Sequence, residues 1–192
     1  MARLGFCYST VHGDKTKRIW QIKNNFCKRQ LPVVVFLPKF GYEDHSFYDY
    51  YIGREENIFL TVKHQFQDIS LLVIDQAHLL SEVQIDQLLQ VVLQYDIAVL
   101  CFGLRTDFRT NGFIGARRLL ELSQVLIKIP TFCKCGREAL FSVRKQSGKI
   151  TFQGEKIVNN KDISYEALCP KCYYRKVIQY KKLKEQGRLD FI

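Results

Sequence analysis

The sequence predicts an α/β fold, a parallel sheet covered by helices, with a smaller β-rich lobe built around a metal ion. Three observations carry that expectation. Short apolar runs alternate with stretches of helical periodicity through the first part of the chain, as in sheets buried on both faces. Beyond Ile127 the pattern changes to shorter strand-like runs and turns. Two close thiol pairs, Cys133-x-Cys135 and Cys169-x-x-Cys172, frame that segment, and pairs of this kind converge on one tetrahedral ion. The expected division is residues 1–128 for the α/β domain, 129–176 for the metal lobe and 177–192 for a basic C-terminal tail.

Taken in order, Leu4 to Tyr8 reads as a short buried strand, followed by the polar loop from Ser9 and a helical run from about Thr16 to Arg29. Strand, loop and helix in this order make a phosphate-binding loop, in which a lysine reaches phosphate oxygens and a Ser/Thr hydroxyl meets magnesium. Lys15 and Thr16 suit those two roles; the alternative is a plain strand-to-helix turn opening a solvated basic helix. Val-rich Leu31 to Leu37 reads as a second buried strand, and Pro38 to Asn57 as a long polar, aromatic loop. Leu71-Leu-Val-Ile-Asp75 is an apolar strand ending in an acid. Ser81 to Tyr95 has helical periodicity, with Ser81-Glu-Val-Gln84 as its cap, and Ile97 to Phe102 is a further strand. The expected fold class is therefore α/β, P-loop NTPase-like if the loop from Ser9 to Thr16 binds phosphate, with a small zinc-binding lobe.

Zinc is the ion that four thiols at this spacing favour. Gly136 lets the tight Cys133-x-Cys135 turn close. The alternatives are two disulfides or four buried free thiols. A disulfide framework fits poorly, because the seven cysteines are odd in number and Met1-Ala-Arg-Leu-Gly5 does not start as a secretion signal. The expected compartment is the cytoplasm or another reducing interior. Four thiolates leave no open position, so the ion is expected to hold the lobe together rather than do chemistry. Cys7, Cys27 and Cys101 lie in apolar surroundings and read as core residues.

Charge points to partners. A net charge of +10 and a pI near 9.3 imply an anionic partner or a generally basic surface. Basic residues gather in Lys15, Lys17, Arg18, Lys23, Lys28 and Arg29, and again in Lys171, Arg175, Lys176, Lys181, Lys182, Lys184 and Arg188. With Tyr173, Tyr174 and Tyr180 among them, the second group suits RNA or DNA, by phosphate contact and stacking; the alternative is a solvated helix. The apolar end Leu189-Asp-Phe-Ile192 suits docking on a protein partner or fraying. No apolar run reaches membrane-spanning length.

Several motifs together resemble the type II thymidine kinases, the zinc-bearing P-loop family that phosphorylates thymidine with ATP. These are Leu104-Arg-Thr-Asp-Phe-Arg109 followed by Phe113-Ile-Gly115, Asp75-Gln-Ala-His-Leu79 in place of Asp-Glu-x-Gln-Phe, Gly154-Glu155, and Tyr165-Glu-Ala-Leu-Cys169. The resemblance runs in order from about Leu4 to Tyr174. It implies a homo-oligomer, a metal ion held by Cys133, Cys135, Cys169 and Cys172, ATP and Mg2+ met by Lys15, Thr16 and Asp75, and a nucleoside pocket that includes Phe113 and Tyr165.

Three departures fall on the implied chemistry. Asp14 stands where the family has the glycine before the lysine, Gln76 stands at the general-base position, and Asn159-Asn-Lys161 replaces the Ile-Gly-Gly of the loop that closes over the base. A carboxamide cannot take a proton at neutral pH, and general-base help is worth about 10²–10⁴ in rate. Nearby substitutes for the missing base are His78, Glu43, Asp44 and Glu55. The favoured expectation is a thymidine-kinase-like scaffold that has lost phosphoryl transfer and serves as a structural or interaction subunit, in a nucleoprotein assembly or with an active kinase. The alternatives are an active thymidine or deoxynucleoside kinase, and a nucleotide-binding regulator; ATP and Mg2+ enter only if nucleotide binding persists.

Overall fold

A computed structural model describes residues 1–39, 47–158 and 162–186. Contacts divide the chain into two units. The first comprises Met1–Ser9, Asp14–Arg105 and Gly112–Ile129; the second comprises Thr10–Gly13, Thr106–Asn111 and Pro130–Ile192.

The first unit holds strands β1 (Leu4–Ser9), β2 (Val33–Pro38), β3 (Tyr50–Ile52), β4 (Leu71–Ile74), β5 (Ala98–Leu104) and β6 (Val125–Lys128) in one sheet of order β3-β2-β4-β5-β1-β6. All neighbouring pairs are parallel. β1, which leads into the expected phosphate loop, and β4, which leads into Asp75, are thus separated by β5, a P-loop NTPase-like arrangement. Helices α1 (Lys15–Lys28), α2 (Ile58–Gln65), α3 (Glu82–Tyr95) and α4 (Ile114–Leu122) complete it. The sheet's two faces bury separate apolar clusters. One includes Phe6, Phe36, Leu72, Ile74 and Leu88; the other includes Cys7, Ile19, Val73 and Phe102. This is why β4 reads as an unbroken apolar run.

Local chemistry sets the element ends. Ser81 and Gln84 form a reciprocal capping box at the start of α3, as expected. Four elements were not foreseen: α4 and β6 fall where the sequence analysis assigned none, the loop expected over Pro38–Asn57 contains β3, whose Tyr50 to Ile52 pair with Phe36 to Pro38, and Asn57 caps α2 through Leu60 N–H at 3.0 Å. Cys7 and Cys101 are buried core thiols, but Cys27 is exposed on α1, whose buried positions include Lys15 and Ile19.

The second unit is built on antiparallel strands β7 (Phe141–Gln146), β8 (Lys149–Thr151) and β9 (Ile163–Leu168), followed by α5 (Pro170–Glu185). Its apolar cluster joins Ala139, Val143, Ala167 and Leu168 to Cys133 and Cys169, with Val11 packed against it. Helix α5 runs without a break through residues 176 and 177. Among the described residues, no helix is long and apolar enough to cross a membrane.

Candidate active site and metal centre

Backbone geometry at the expected phosphate loop shows how the sequence forms this turn without glycine before the lysine. Asp14, the N-cap of α1, lies in the left-handed region at φ 51 and ψ 29, as does His12 at φ 60. Aspartate and histidine tolerate that region better than most side chains. Lys15 is buried and its Nζ donates to Ser9 Oγ at 2.9 Å. Burial lowers its pKa to about 8, against the opposing pull of Asp75 and Asp14.

Asp75 follows β4 and is fully buried. Its Oδ2 accepts from Tyr48 OH at 2.9 Å and, at 3.5 Å, from Thr16 Oγ1; its Oδ1 accepts from Gln76 N–H at 2.8 Å. Burial raises the carboxyl's pKa, while these donors and Lys15 pull the other way. Lys15, Thr16 and Asp75 therefore meet at one end of the parallel sheet, where α/β proteins place their ligand sites.

Gln76 directly follows, half-buried and left-handed at φ 52, at the head of a single 3₁₀ turn, Ala77–Leu79. A Cβ on Gly115 would stand 2.6 Å from Leu80 O and 2.8 Å from Ala77 O. Glycine in Phe113-Ile-Gly115 thus lets α4 press on this turn and fix where Gln76 begins it. His78 is buried below: its Nδ1 accepts Leu104 N–H at 3.2 Å, and its ring meets Phe113 edge-on at 4.5 Å. Burial, with a smaller effect from Lys15, lowers its pKa to about 3. With Nδ1 accepting Leu104 N–H, the neutral ring carries its proton on Nε2 and keeps no free lone pair for a further proton. Glu55 is exposed in the turn before α2. Glu43 and Asp44 lie outside the described residues.

In the second unit the sulfurs of Cys133, Cys135, Cys169 and Cys172 all lie within 4.8 Å of one another, with Cys135 and Cys169 at 3.6 Å. A tetrahedral ion with Zn–S bonds of about 2.3 Å needs S···S edges of about 3.8 Å, so the donor set fits. The first pair sits in a turn closed by Gly136 N–H to Cys133 O at 2.8 Å, with Gly136 at φ 83. The second pair comes from the N-cap and first turn of α5, where Pro170 opens the helix. Hydrogen bonds from the Arg137 backbone and side chain lower Cys135 to about 6, whereas thiol–thiol hydrogen bonds push Cys172 up to about 12. The four cysteines are positioned to bind a metal ion.

The same unit contains a residue the sequence reading missed. Arg144, on β7, is almost fully buried, with its guanidinium carbon 3.9 Å from the Phe108 ring centroid. Its Nε and Nη2 donate to Tyr165 OH at 3.1 and 2.9 Å, and Nη2 also donates to Lys156 O at 3.1 Å. Gly154, at φ 94, leaves room beside Arg144 Nη1. A cation lying on one aromatic ring and bonded to a tyrosine hydroxyl fixes that tyrosine's orientation. Asn159, Asn160 and Lys161 lie outside the described residues, as do Arg188 and Leu189 to Ile192.

A family model described as thymidine kinase matches residues 2–173. The chain belongs to the type II thymidine kinase family. Curated thymidine kinases are similar over nearly the whole chain. That of Escherichia coli K12 is 33% identical over 95% of each chain, and that of Shewanella oneidensis is 31% identical over 93% of this chain and 99% of its own. That of Mesorhizobium japonicum is 32% identical over 88% and 89%. A solved structure of a DNA replication initiation factor aligns at 15% identity and a TM-score of 0.42, over 67% of this chain and 40% of its own.

As a thymidine-kinase-like protein, the chain brings Lys15, Thr16, Asp75 and Gln76 together in one unit and the four cysteines together in the other. Phe113 belongs to the first unit, buried against His78; Tyr165 belongs to the second, half-buried and held by Arg144. Ser9, Tyr48 and Arg144 had no signal in the sequence. A serine closing a strand, an aromatic in a polar loop and a basic residue in an alternating strand are all ordinary surface patterns.

Proposed function

We propose that this thymidine-kinase-like chain keeps the scaffold of a nucleoside kinase but not its phosphoryl transfer, and acts as a non-catalytic structural or interaction subunit. One observation carries the reading. The side chain directly after Asp75, at the position of the proton acceptor, is a carboxamide, and the imidazole two residues on, His78, is buried, neutral and already accepting a backbone hydrogen bond. Removing the proton of a nucleoside 5'-hydroxyl then falls to no side chain at that turn. Asp75 does not replace it: its Oδ2 is taken by Tyr48 and Thr16 and its Oδ1 by Gln76 N–H. Loss of a general base corresponds to about 3–5 kcal/mol in the barrier.

The metal bound by the four cysteines is zinc in this reading, with a structural role, since the sulfurs fill a tetrahedron and leave no site for water. Partners are a protein or further copies of the chain, with RNA or DNA contact through the basic face of α5 as the further expectation.

A specific observation supports a second reading, a nucleotide-binding regulator. The loop keeps its turn through left-handed Asp14, with Lys15, Thr16 and Asp75 in place. Lys15 would face phosphate oxygens, and Thr16 and Asp75 would hold Mg2+, whose charge would offset that of the phosphates. An assay of metal-loaded protein with ATP and thymidine, beside a titration with ADP, separates the three readings. Turnover supports an active kinase, binding without turnover supports the regulator, and neither supports the structural subunit.

A further inference from the structure

The middle of the phosphate loop belongs to the same compact unit as the cysteine cluster. Thr10–Gly13 are grouped with Pro130–Ile192, whereas Ser9 and Asp14 on either side are grouped with the parallel sheet. Three contacts tie it to that unit. Val11 packs against the apolar cluster that contains Cys133, Val143 and Cys169. Val11 N–H donates to the buried Ser142 Oγ at 3.3 Å. His12 Nε2 lies 2.9 Å from the carbonyl oxygen of Tyr165. A carbonyl only accepts, so Nε2 carries a proton in this contact. Ser142 is on β7 and Tyr165 on β9, strands paired in register as Ser142↔Ala167 and Arg144↔Tyr165.

The loop needs such anchors. His12 and Asp14 both occupy left-handed backbone, with Gly13 between them. Non-glycine residues in that region are held there by surroundings rather than by their own preference. A phosphate-binding loop acts through backbone N–H groups fixed in advance, and a loop that relaxes to ordinary dihedrals no longer aims them.

We propose that His12 and Ser142 are positioning residues: through them the β7–β9 strand pair of the metal lobe holds the phosphate loop in its binding shape. The proposal rests on the reading of residues 9–16 as a phosphate-binding loop. Neither side chain needs to touch a phosphate. Their effect passes through the backbone of residues 10–14, so it shows as nucleotide affinity and amide protection, not as global stability.

The test uses metal-loaded full-length protein and the variants His12→Ala, His12→Gly, His12→Gln and Ser142→Ala. Amide hydrogen exchange at residues 10–14 is measured without ligand, and affinity for ADP is measured by titration. Loss of one such hydrogen bond corresponds to about a five- to tenfold change. Exchange in His12→Ala and Ser142→Ala is expected to rise about that much and ADP affinity to fall about that much, at an unchanged melting temperature. His12→Gln, which keeps a donor, should stay close to wild type. His12→Gly separates anchor from strain: it relieves the left-handed conformation but loses the contact, and is expected to behave like His12→Ala. A His12→Gly variant that binds and exchanges like wild type overturns the anchoring role of His12, and exchange unchanged in both alanine variants overturns the proposal outright. Raised exchange in a protein whose wild type binds no ADP keeps the anchoring and overturns instead the phosphate reading of the loop.

Discussion

Replacing His78 by glutamine should remove much of the protein's sensitivity to mild acid. The ring is buried, accepts Leu104 N–H through Nδ1 and packs edge-on against Phe113, while a Cβ on Gly103 would stand 3.0 Å from Nδ1. Burial disfavours a second proton, which on Nδ1 would meet the Leu104 N–H, a donor rather than an acceptor, and the pKa falls from 6.5 to about 3. A folded-state pKa below the unfolded one means that the unfolded chain binds the extra proton. Stability is therefore fully present above about pH 6.5 and is lost as pH falls from there toward 3. At about 1.4 kcal/mol per unit, the fall from about pH 6.5 to about pH 5 costs roughly 2 kcal/mol. For a chain of this length that is a drop of about 4–8 °C in melting temperature. Glutamine retains an acceptor for Leu104 N–H and does not titrate. Melting of wild type and His78→Gln at about pH 7.5 and about pH 5 gives the answer as a difference of differences, in which carboxylates and thiols common to both proteins cancel. The same acid-induced drop in both proteins would refute the reasoning.

Three further outcomes are expected. Lys15→Met should lose a pH response that wild type shows: with the Lys15 pKa lowered to about 8, wild-type stability rises as pH passes from 8 toward 10.5, by at most about 3 kcal/mol, and chemical denaturation across that range detects it. Arg144→Met leaves Tyr165 OH and Lys156 O without their donor and removes the cation from the Phe108 ring. Urea unfolding should show a loss of about 2–4 kcal/mol, and a variant more stable than wild type would contradict the account of this residue. Stripping the metal with a chelator should melt the β7–β9 unit while leaving the parallel sheet folded, seen as hydrogen exchange that rises at Phe141–Gln146 and Ile163–Leu168 but not at Leu71–Ile74; protection unchanged in all three strands would show that the cysteines hold no structural ion.

The parts of this fold that were legible are those whose chemistry allows few arrangements. β4 is buried on all four residues, so its sequence is a plain apolar run that reads as a strand. Ser81 and Gln84 announce the start of α3 because a capping box needs those two side chains at that spacing. Four thiols in two close pairs allow few arrangements other than one tetrahedral metal site. β3 was missed because three residues give no periodicity, and its strand character comes from pairing with β2. Arg144 was missed because a basic residue in Phe141–Gln146 reads as the solvent face; its burial depends on Phe108 and Tyr165, which only the fold brings to it. At the site, the sequence showed that Asp14 replaces a glycine and Gln76 an acid. It did not show that both take left-handed backbone, which sets the turn into α1 and the turn after β4.

The central claim is that the scaffold persists while the proton acceptor is gone. Thymidine phosphorylation by metal-loaded protein, measured for the unmodified chain beside the Asp14→Gly, Gln76→Glu double variant, tests it most directly. The account predicts no measurable turnover for the unmodified chain and a rate at least about 10²-fold higher in the double variant. Turnover by the unmodified chain equal to that of the double variant would contradict it.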